Sequence, residues 1–106
     1  MPEAIVYING GLLPVNEATV SFRDGGFQFG DGLFETIRFQ NRKLFSSENH
    51  LHRLRNGLEI LDLKLDKTNA ELTQILNQLI HENQIESGLL RLMITRGEIT
   101  GTPWNH

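Results

Sequence analysis

The fold of this chain is decided by residues 22–38, which read FRDGGFQFGDGLFETIR. Four glycines fall within eight residues of this stretch, and phenylalanines lie beside and between them. Glycine-rich sequence of this kind is typical of tight turns, because glycine adopts backbone conformations that other residues avoid. We therefore predict sharp turns that lead into an extended segment.

The extended segment is a predicted strand from Leu33 to Gln40, in which successive side chains point to opposite faces. One face would carry Leu33, Glu35, Ile37 and Phe39, and the other Phe34, Thr36 and Arg38. The second face mixes aromatic, hydroxyl and charged groups, as a surface that faces a ligand would.

Shorter strands are predicted on both sides of this element. Residues 4–8 form a β-branched run that reaches Asn9-Gly10, a dipeptide typical of tight hairpins, and residues 12–15 would be the return strand. Pro14 cannot donate to a ladder, so the return strand should end or lie at an edge there. Asn41-Arg42 predicts a turn, followed by a short strand at residues 43–45.

Two helices are predicted in the second half of the chain. Ser46 or Ser47 would cap the first helix, whose stripe of leucines at helical spacing is Leu51, Leu54, Leu58, Leu61 and Leu65. Gly57 within it indicates close packing or a bend. Thr68 and Glu71 form a capping box at the start of the second helix, whose apolar face is Leu72, Ile75, Leu76, Leu79 and Ile80.

Residues 89–95 are predicted to form a buried strand that closes on Arg96-Gly97. Together these elements predict an α+β fold, in which a mostly antiparallel sheet built from the hairpin and the other strands is covered by two helices.

Composition excludes several classes of protein. With 106 residues the chain is one domain, and its net charge of −3 gives no basic footprint for nucleic acid. It has no cysteine, and no apolar run approaches the length of a bilayer span. We expect a soluble, cytoplasmic protein with no membrane partner.

No complete active site can be assembled from spacing alone. The glycines fit neither the dinucleotide-binding nor the P-loop pattern, so spacing favours a structural turn in which Asp31 caps or closes the loop. His50 and His52, two residues apart on a helix, cannot share a metal and are expected at the surface.

The arginines are the remaining candidates. Arg53 lies away from the leucine stripe and is expected to face solvent, where only an anionic ligand would give it a special role. Arg38, Arg91 and Arg96 lie in or at the end of predicted strands, so each needs an acidic partner, a site opening or a strand-end position facing water.

The order of four motifs resembles the class IV aminotransferases. They are YING at residues 7–10, QFGDGLFETIR at 28–38, HLHRL at 50–54 and ITRG at 94–97. That family has fold type IV, uses pyridoxal 5'-phosphate, and includes branched-chain aminotransferase, D-amino acid aminotransferase and aminodeoxychorismate lyase. The resemblance implies that residues 1–106 are its smaller N-terminal domain.

The resemblance implies roles for individual residues. Arg53 matches the arginine that grips the cofactor phosphate. Phe34 matches a substrate-side position that is tyrosine in D-amino acid aminotransferases and phenylalanine in many branched-chain enzymes. Substrate-side roles are also implied for Arg38, Arg91, Arg96 and His106, and Arg96-Gly97 would shape the loop over the site. Trp104 stands where D-amino acid enzymes have the arginine of an Arg-x-His trap, which weakens D-specificity.

The family's lysine that bonds to the cofactor lies in the C-terminal domain, so residues 1–106 should be inactive alone. The full protein is expected to be a homodimer that transfers an amino group from a branched-chain-like amino acid to a 2-oxo acid. Two alternatives stay open, namely aminodeoxychorismate lyase and a non-catalytic binding or assembly domain.

Overall fold

The structure is a computed structural model, and it describes residues 3–99. Within that range the chain has α+β architecture, as predicted. The strands are β1 (Ile5–Ile8), β2 (Gly11–Pro14), β3 (Gly32–Gln40), β4 (Lys43–Leu44) and β5 (Gly88–Thr95), and the helices are α1 (Gly25–Phe29), α2 (Ser47–Ile60) and α3 (Asn69–Asn83). A single 3-10 turn at Val15–Glu17 follows β2.

The strands form two separate antiparallel sheets, whereas one sheet was predicted. The first is the hairpin β1–β2, whose turn residues Asn9 and Gly10 both have positive φ, at 48° and 100°. The Asn83 side chain at the end of α3 accepts a hydrogen bond from the Ile5 backbone N–H at 2.8 Å and donates to the Ile5 carbonyl at 3.0 Å. A side chain of α3 therefore satisfies both backbone groups of Ile5, and the hairpin packs against α3.

The second sheet has the order β4-β3-β5, so β3 is its central strand. Its inner face carries the buried side chains of Ile37 and Phe39, as the alternation predicts. The outer face stays exposed in this structure, with Leu89 and Met93 of β5 respectively 69% and 61% exposed. The prediction of a buried β5 is therefore wrong for one face, because nothing in residues 3–99 covers it.

Helix α2 packs on the inner face of β3 through its leucines. The core cluster consists of Leu51, Leu54, Leu58 and Leu72. A Cβ at Gly57 would lie 2.8 Å from the Leu33 side chain, so close packing explains that glycine.

The two ends of α2 differ from the prediction. Ser46 occupies the position before the helix with φ of 53°, and its side chain makes no capping hydrogen bond. The helix stops at Ile60, so Leu61 and Leu65 lie outside it, and Leu65 joins the core from the following segment. The leucine spacing continues past the helix because the segment returns to the same core.

Helix α3 begins as predicted. The Thr68 hydroxyl accepts from the Glu71 backbone N–H at 3.1 Å, and the Glu71 carboxylate accepts from the Thr68 N–H at 2.9 Å. Its buried residues are Leu72, Leu76 and Ile80. Across residues 3–99, no helix combines the length and the apolar character that crossing a bilayer requires.

The glycine-rich stretch contains a third helix that was not predicted. Asp24 caps α1 by accepting a hydrogen bond from the Phe27 N–H at 3.1 Å, and Gly30 ends it with φ of 66°. A Cβ on Gly25 would collide with Ile99, and a Cβ on Gly26 would collide with Thr95. Glycine at both positions therefore permits the turn. The glycines thus allow a short helix to lie against the end of β5.

Candidate functional site

The centre of the candidate site is Glu35, a carboxylate on the inner face of β3. It is only 8% exposed, and its neighbour on the same face, Ile37, is fully buried. A carboxylate in such a position is costly unless it is paired and hydrogen-bonded. Two side chains of α2, His50 and Arg53, provide that pairing.

Arg53 holds Glu35 in a forked contact. Its Nε donates to the two carboxylate oxygens at 3.1 and 2.9 Å, and its Nη2 donates to Oε1 at 2.8 Å. The arginine side chain is nevertheless 70% exposed, whereas that of Glu35 is 9% exposed. One end of this ion pair is therefore fixed inside the fold while the cation reaches the surface.

His50 precedes Arg53 by three residues, so the two side chains project from the same side of α2. Its Nδ1 lies 2.8 Å from Glu35 Oε1, and its side chain is 21% exposed. An ionised carboxylate can only accept, so Nδ1 carries the hydrogen in this contact. The expectation that His50 lies at the surface is wrong, because it is drawn inward by Glu35; His52 is exposed, as expected.

The cluster shifts the ionisation of its members. The hydrogen bonds from Arg53 hold the pKa of Glu35 below its usual value; burial opposes this shift, and the contact with His50 strengthens it. The same carboxylate raises the pKa of Arg53. Glu35 is thus a carboxylate, and Arg53 a cation, throughout the neutral range.

This arrangement suits the binding of an anion. Arg53 Nη1 makes no hydrogen bond with any residue between 3 and 99, and the side chain is mostly exposed. Guanidinium groups bind phosphate through charge and directed N–H donors. The residues present therefore fit a phosphate-bearing cofactor at Arg53.

The predicted substrate-side residues of the two long strands meet on the outer face of the sheet. Phe34 is paired with Met93, Thr36 with Arg91, and Arg38 with Leu89. The Arg91 guanidinium carbon lies 4.9 Å from the centre of the Phe34 ring, a cation–π contact. Arg38 donates a long hydrogen bond of 3.4 Å to Gln40.

These outer-face residues are not in contact with the ion-pair cluster. Because side chains alternate along β3, Phe34 and Arg38 point away from the face on which Glu35 meets Arg53. The structure therefore assembles two groups on opposite faces of one strand, and within residues 3–99 no side-chain hydrogen bond or ion pair joins them.

Arg96 joins the glycine-rich segment to the end of α2. Its Nε donates to Asp31 at 2.6 Å, Nη2 donates to the Leu61 carbonyl at 2.7 Å and Nη1 donates to the Asp62 carbonyl at 3.4 Å. The Asp31 N–H also donates to the Gly25 carbonyl at 3.1 Å, so Asp31 closes the loop as spacing suggested. These contacts are of the kind that shape a loop, while a substrate contact of Arg96 stays a prediction. His106 and Trp104 lie outside the described residues.

Sequence reasoning missed Glu35 and His50 as members of the site. The signal for Glu35 was a charged residue on the apolar face of a strand, which requires a partner. The partners follow 15 and 18 residues later, and no local pattern indicates them. A shallow cavity of about 620 Å³ between Tyr7 and α3 lies elsewhere and is lined by side chains outside this cluster.

Comparison with known proteins places the chain in a family. The amino-transferase class IV family model matches residues 32–103. D-alanine aminotransferase of Listeria monocytogenes serotype 1/2a (strain 10403S) is 38% identical over 101 residues, covering 95% of this chain and 34% of that protein. D-alanine aminotransferase of Staphylococcus aureus (strain MSSA476) is 37% identical over 92 residues, covering 87% and 33%. The chain thus spans about a third of the length of the curated relatives it matches.

Solved structures agree on the fold. The branched-chain amino acid aminotransferase of Escherichia coli superposes with a TM-score of 0.86 at 22% identity, over 96% of this chain and 36% of that one. The branched-chain enzyme of T.th., complexed with N-(5'-phosphopyridoxyl)-L-glutamate, gives 0.83 at 22% identity, over 92% and 34%. The family model over residues 32–103 and the relatives at 37–38% identity show that the chain belongs to the class IV aminotransferases.

Proposed function

We propose that this chain is the N-terminal domain of a pyridoxal-phosphate-dependent aminotransferase, and that Arg53 binds the cofactor phosphate. The observation that carries the proposal is the exposed Arg53 guanidinium, held through two of its nitrogens by the buried Glu35 carboxylate. A cation fixed in this way keeps N–H groups available for an anion.

When bound, the cofactor serves as an electron sink that weakens the bonds to the substrate Cα. This chain's own residues contribute binding and orientation. Arg53 would hold the phosphate group by charge-assisted hydrogen bonds, while Glu35 and His50 keep the arginine in place. Arg96 fixes the loop at Asp31 against the end of α2.

The outer face of β3 and β5 is proposed to face the amino acid and 2-oxo acid substrates. Arg38 and Arg91 offer cations for a substrate carboxylate, and Phe34 offers an apolar surface beside Arg91. All three side chains are exposed in the described structure, so each is available to a ligand.

Two donor classes are supported by different observations. D-alanine is favoured by curated relatives that are 37–38% identical over most of this chain and are D-alanine aminotransferases. A branched-chain amino acid is favoured by Phe34, where the D-specific enzymes resembled by this sequence have tyrosine. We rank D-alanine first, because sequence identity over 101 residues carries more information than the residues at two positions, Phe34 and Trp104.

The working unit is proposed to be the full protein. The lysine that bonds to the cofactor would come from a further domain, so residues 1–106 alone should not transaminate. By the same resemblance, we propose a cytoplasmic homodimer.

The test is a donor panel on the full-length protein saturated with pyridoxal phosphate. D-alanine, L-leucine and aminodeoxychorismate are supplied in turn, the first two with 2-oxoglutarate, and the amino acid or pyruvate formed is measured. Transfer from D-alanine is expected, and transfer from L-leucine alone would move the assignment to the branched-chain class. Pyruvate release from aminodeoxychorismate without any transamination would refute the proposal in favour of a lyase, and no turnover of any kind would favour a non-catalytic domain.

A further inference from the structure

We infer that Glu35 is a positioning residue for the phosphate anchor: it holds the Arg53 guanidinium in the orientation that receives the phosphate, without touching the cofactor itself. The inference rests on the proposed function and deepens it. It assigns a role to a side chain that lies one position along β3 from the substrate-side Phe34, yet on the opposite face.

The contact between Arg53 and Glu35 has the geometry of a fork. Three hydrogen bonds between 2.8 and 3.1 Å connect two guanidinium nitrogens of Arg53 to the carboxylate. A fork of this kind fixes both the position and the plane of the guanidinium. An exposed arginine would otherwise sample many rotamers, and ordering it on binding would weaken affinity for the ligand.

Glu35 is itself held in place by the fold. It lies in the middle of the central strand, directly opposite Leu92 of β5, and is almost fully buried. His50 also contacts its Oε1, with Nδ1 at 2.8 Å. The Glu35 carboxylate is therefore held by the fold, and it in turn holds the exposed Arg53 guanidinium.

The carboxylate also carries a cost for a phosphate ligand, because its negative charge repels the anion. Because Glu35 is buried, salt screens this repulsion only weakly. The carboxylate charge is instead offset by the Arg53 guanidinium to which it is hydrogen-bonded. We therefore expect the ordering effect to dominate, and removal of the carboxylate to weaken phosphate binding.

The test compares the affinities of the full-length protein for pyridoxal phosphate and for pyridoxal, which lacks the phosphate. The variants are Glu35→Gln, Arg53→Ala and the double variant, with Glu59→Gln as a matched control, since Glu59 is an exposed carboxylate on the same helix as Arg53. Equilibrium binding is followed by cofactor absorbance at about 0.15 M salt. The ratio of the two affinities isolates the phosphate contribution from any general loss of structure.

We expect Glu35→Gln to lower this ratio about tenfold, the lower end of the effect of removing groups that orient ligating side chains at metal sites. Glu59→Gln should leave it unchanged. In the Arg53→Ala background, Glu35→Gln should have little further effect, because the residue it positions is gone. Equal losses for pyridoxal and pyridoxal phosphate would overturn the inference in favour of a purely structural role.

The outcomes separate this inference from the proposed function. If the unaltered protein does not distinguish pyridoxal phosphate from pyridoxal, the proposed phosphate site fails. If it does, and Arg53→Ala abolishes the preference while Glu35→Gln leaves it unchanged or strengthens it, only the positioning role of Glu35 is refuted.

Discussion

Substitution of Gly32 by alanine tests the packing of the glycine-rich stretch against β5. Gly32 pairs with Thr95 at the end of the ladder between β3 and β5. A Cβ on Gly32 would lie 2.5 Å from the Ile94 carbonyl oxygen and 3.0 Å from the Thr95 Cα. Both are backbone atoms, so neither can move aside by changing a rotamer.

The magnitude follows from the overlap. Close carbon–oxygen contacts in sheets are about 3.3 Å, so the strands would separate by roughly 0.8 Å. Overpacking of this kind costs about 1–3 kcal/mol. Gly11→Ala is the matched control, because it is also a strand glycine without positive φ and has nothing within 4 Å of the added Cβ. Both variants gain about 0.4–1 kcal/mol from a less flexible unfolded chain, which cancels in the comparison.

Hydrogen exchange of the β3 and β5 amides in the full-length protein measures the effect locally. Gly32→Ala should speed their exchange about 5-fold to 150-fold relative to Gly11→Ala, as a difference of about 1–3 kcal/mol implies. Equal protection in the two variants would refute the close approach of β3 to Ile94 and Thr95.

Other substitutions probe the core, the helix start and the buried carboxylate. Leu54→Ala should lower the free energy of unfolding by about 2–5 kcal/mol in urea titrations, since Leu54 is fully buried in the cluster. Thr68→Ala should cost about 1 kcal/mol, measured in the same way, because the capping box loses its hydroxyl. The pKa of Glu35 is lowered in the fold, so its stabilising contribution is present above the ordinary pKa of a glutamate and is lost as pH falls through the lowered pKa. The Tm of Glu35→Gln should therefore vary less with pH on the acid side, and parallel Tm curves for the two proteins would contradict the ion pair.

Local patterns predicted the elements whose causes are local. The alternation from Leu33 to Gln40 predicts β3 and both of its faces, and Asn9-Gly10 predicts the hairpin turn, because a dipeptide with positive φ is sufficient to form it. The capping box at Thr68 was equally visible in sequence.

Features that depend on distant partners were not predictable in this way. The leucine spacing runs past Ile60, yet α2 ends there, and Asp62 follows with φ of 54°. Arg96 donates hydrogen bonds to the carbonyls at that helix end, from a position more than 30 residues away.

The candidate site also combines features that local sequence predicts with features that depend on distant residues. The exposure of Arg53 followed from its angle to the leucine stripe, and its match to a phosphate-binding arginine came from the family resemblance. Its ion pair with Glu35 followed from neither, since it depends on how α2 crosses β3. A buried charge on a strand face signals that a partner exists, but the partner is identified only by the tertiary fold.

A crystal structure of the full-length protein with pyridoxal phosphate would show whether Arg53, held by Glu35, binds the cofactor phosphate. We expect a phosphate oxygen within about 3 Å of an Arg53 guanidinium nitrogen, with the hydrogen bonds between Arg53 and Glu35 intact. A phosphate bound without contact to Arg53, or an Arg53 side chain that leaves Glu35 to reach the phosphate, would refute this role.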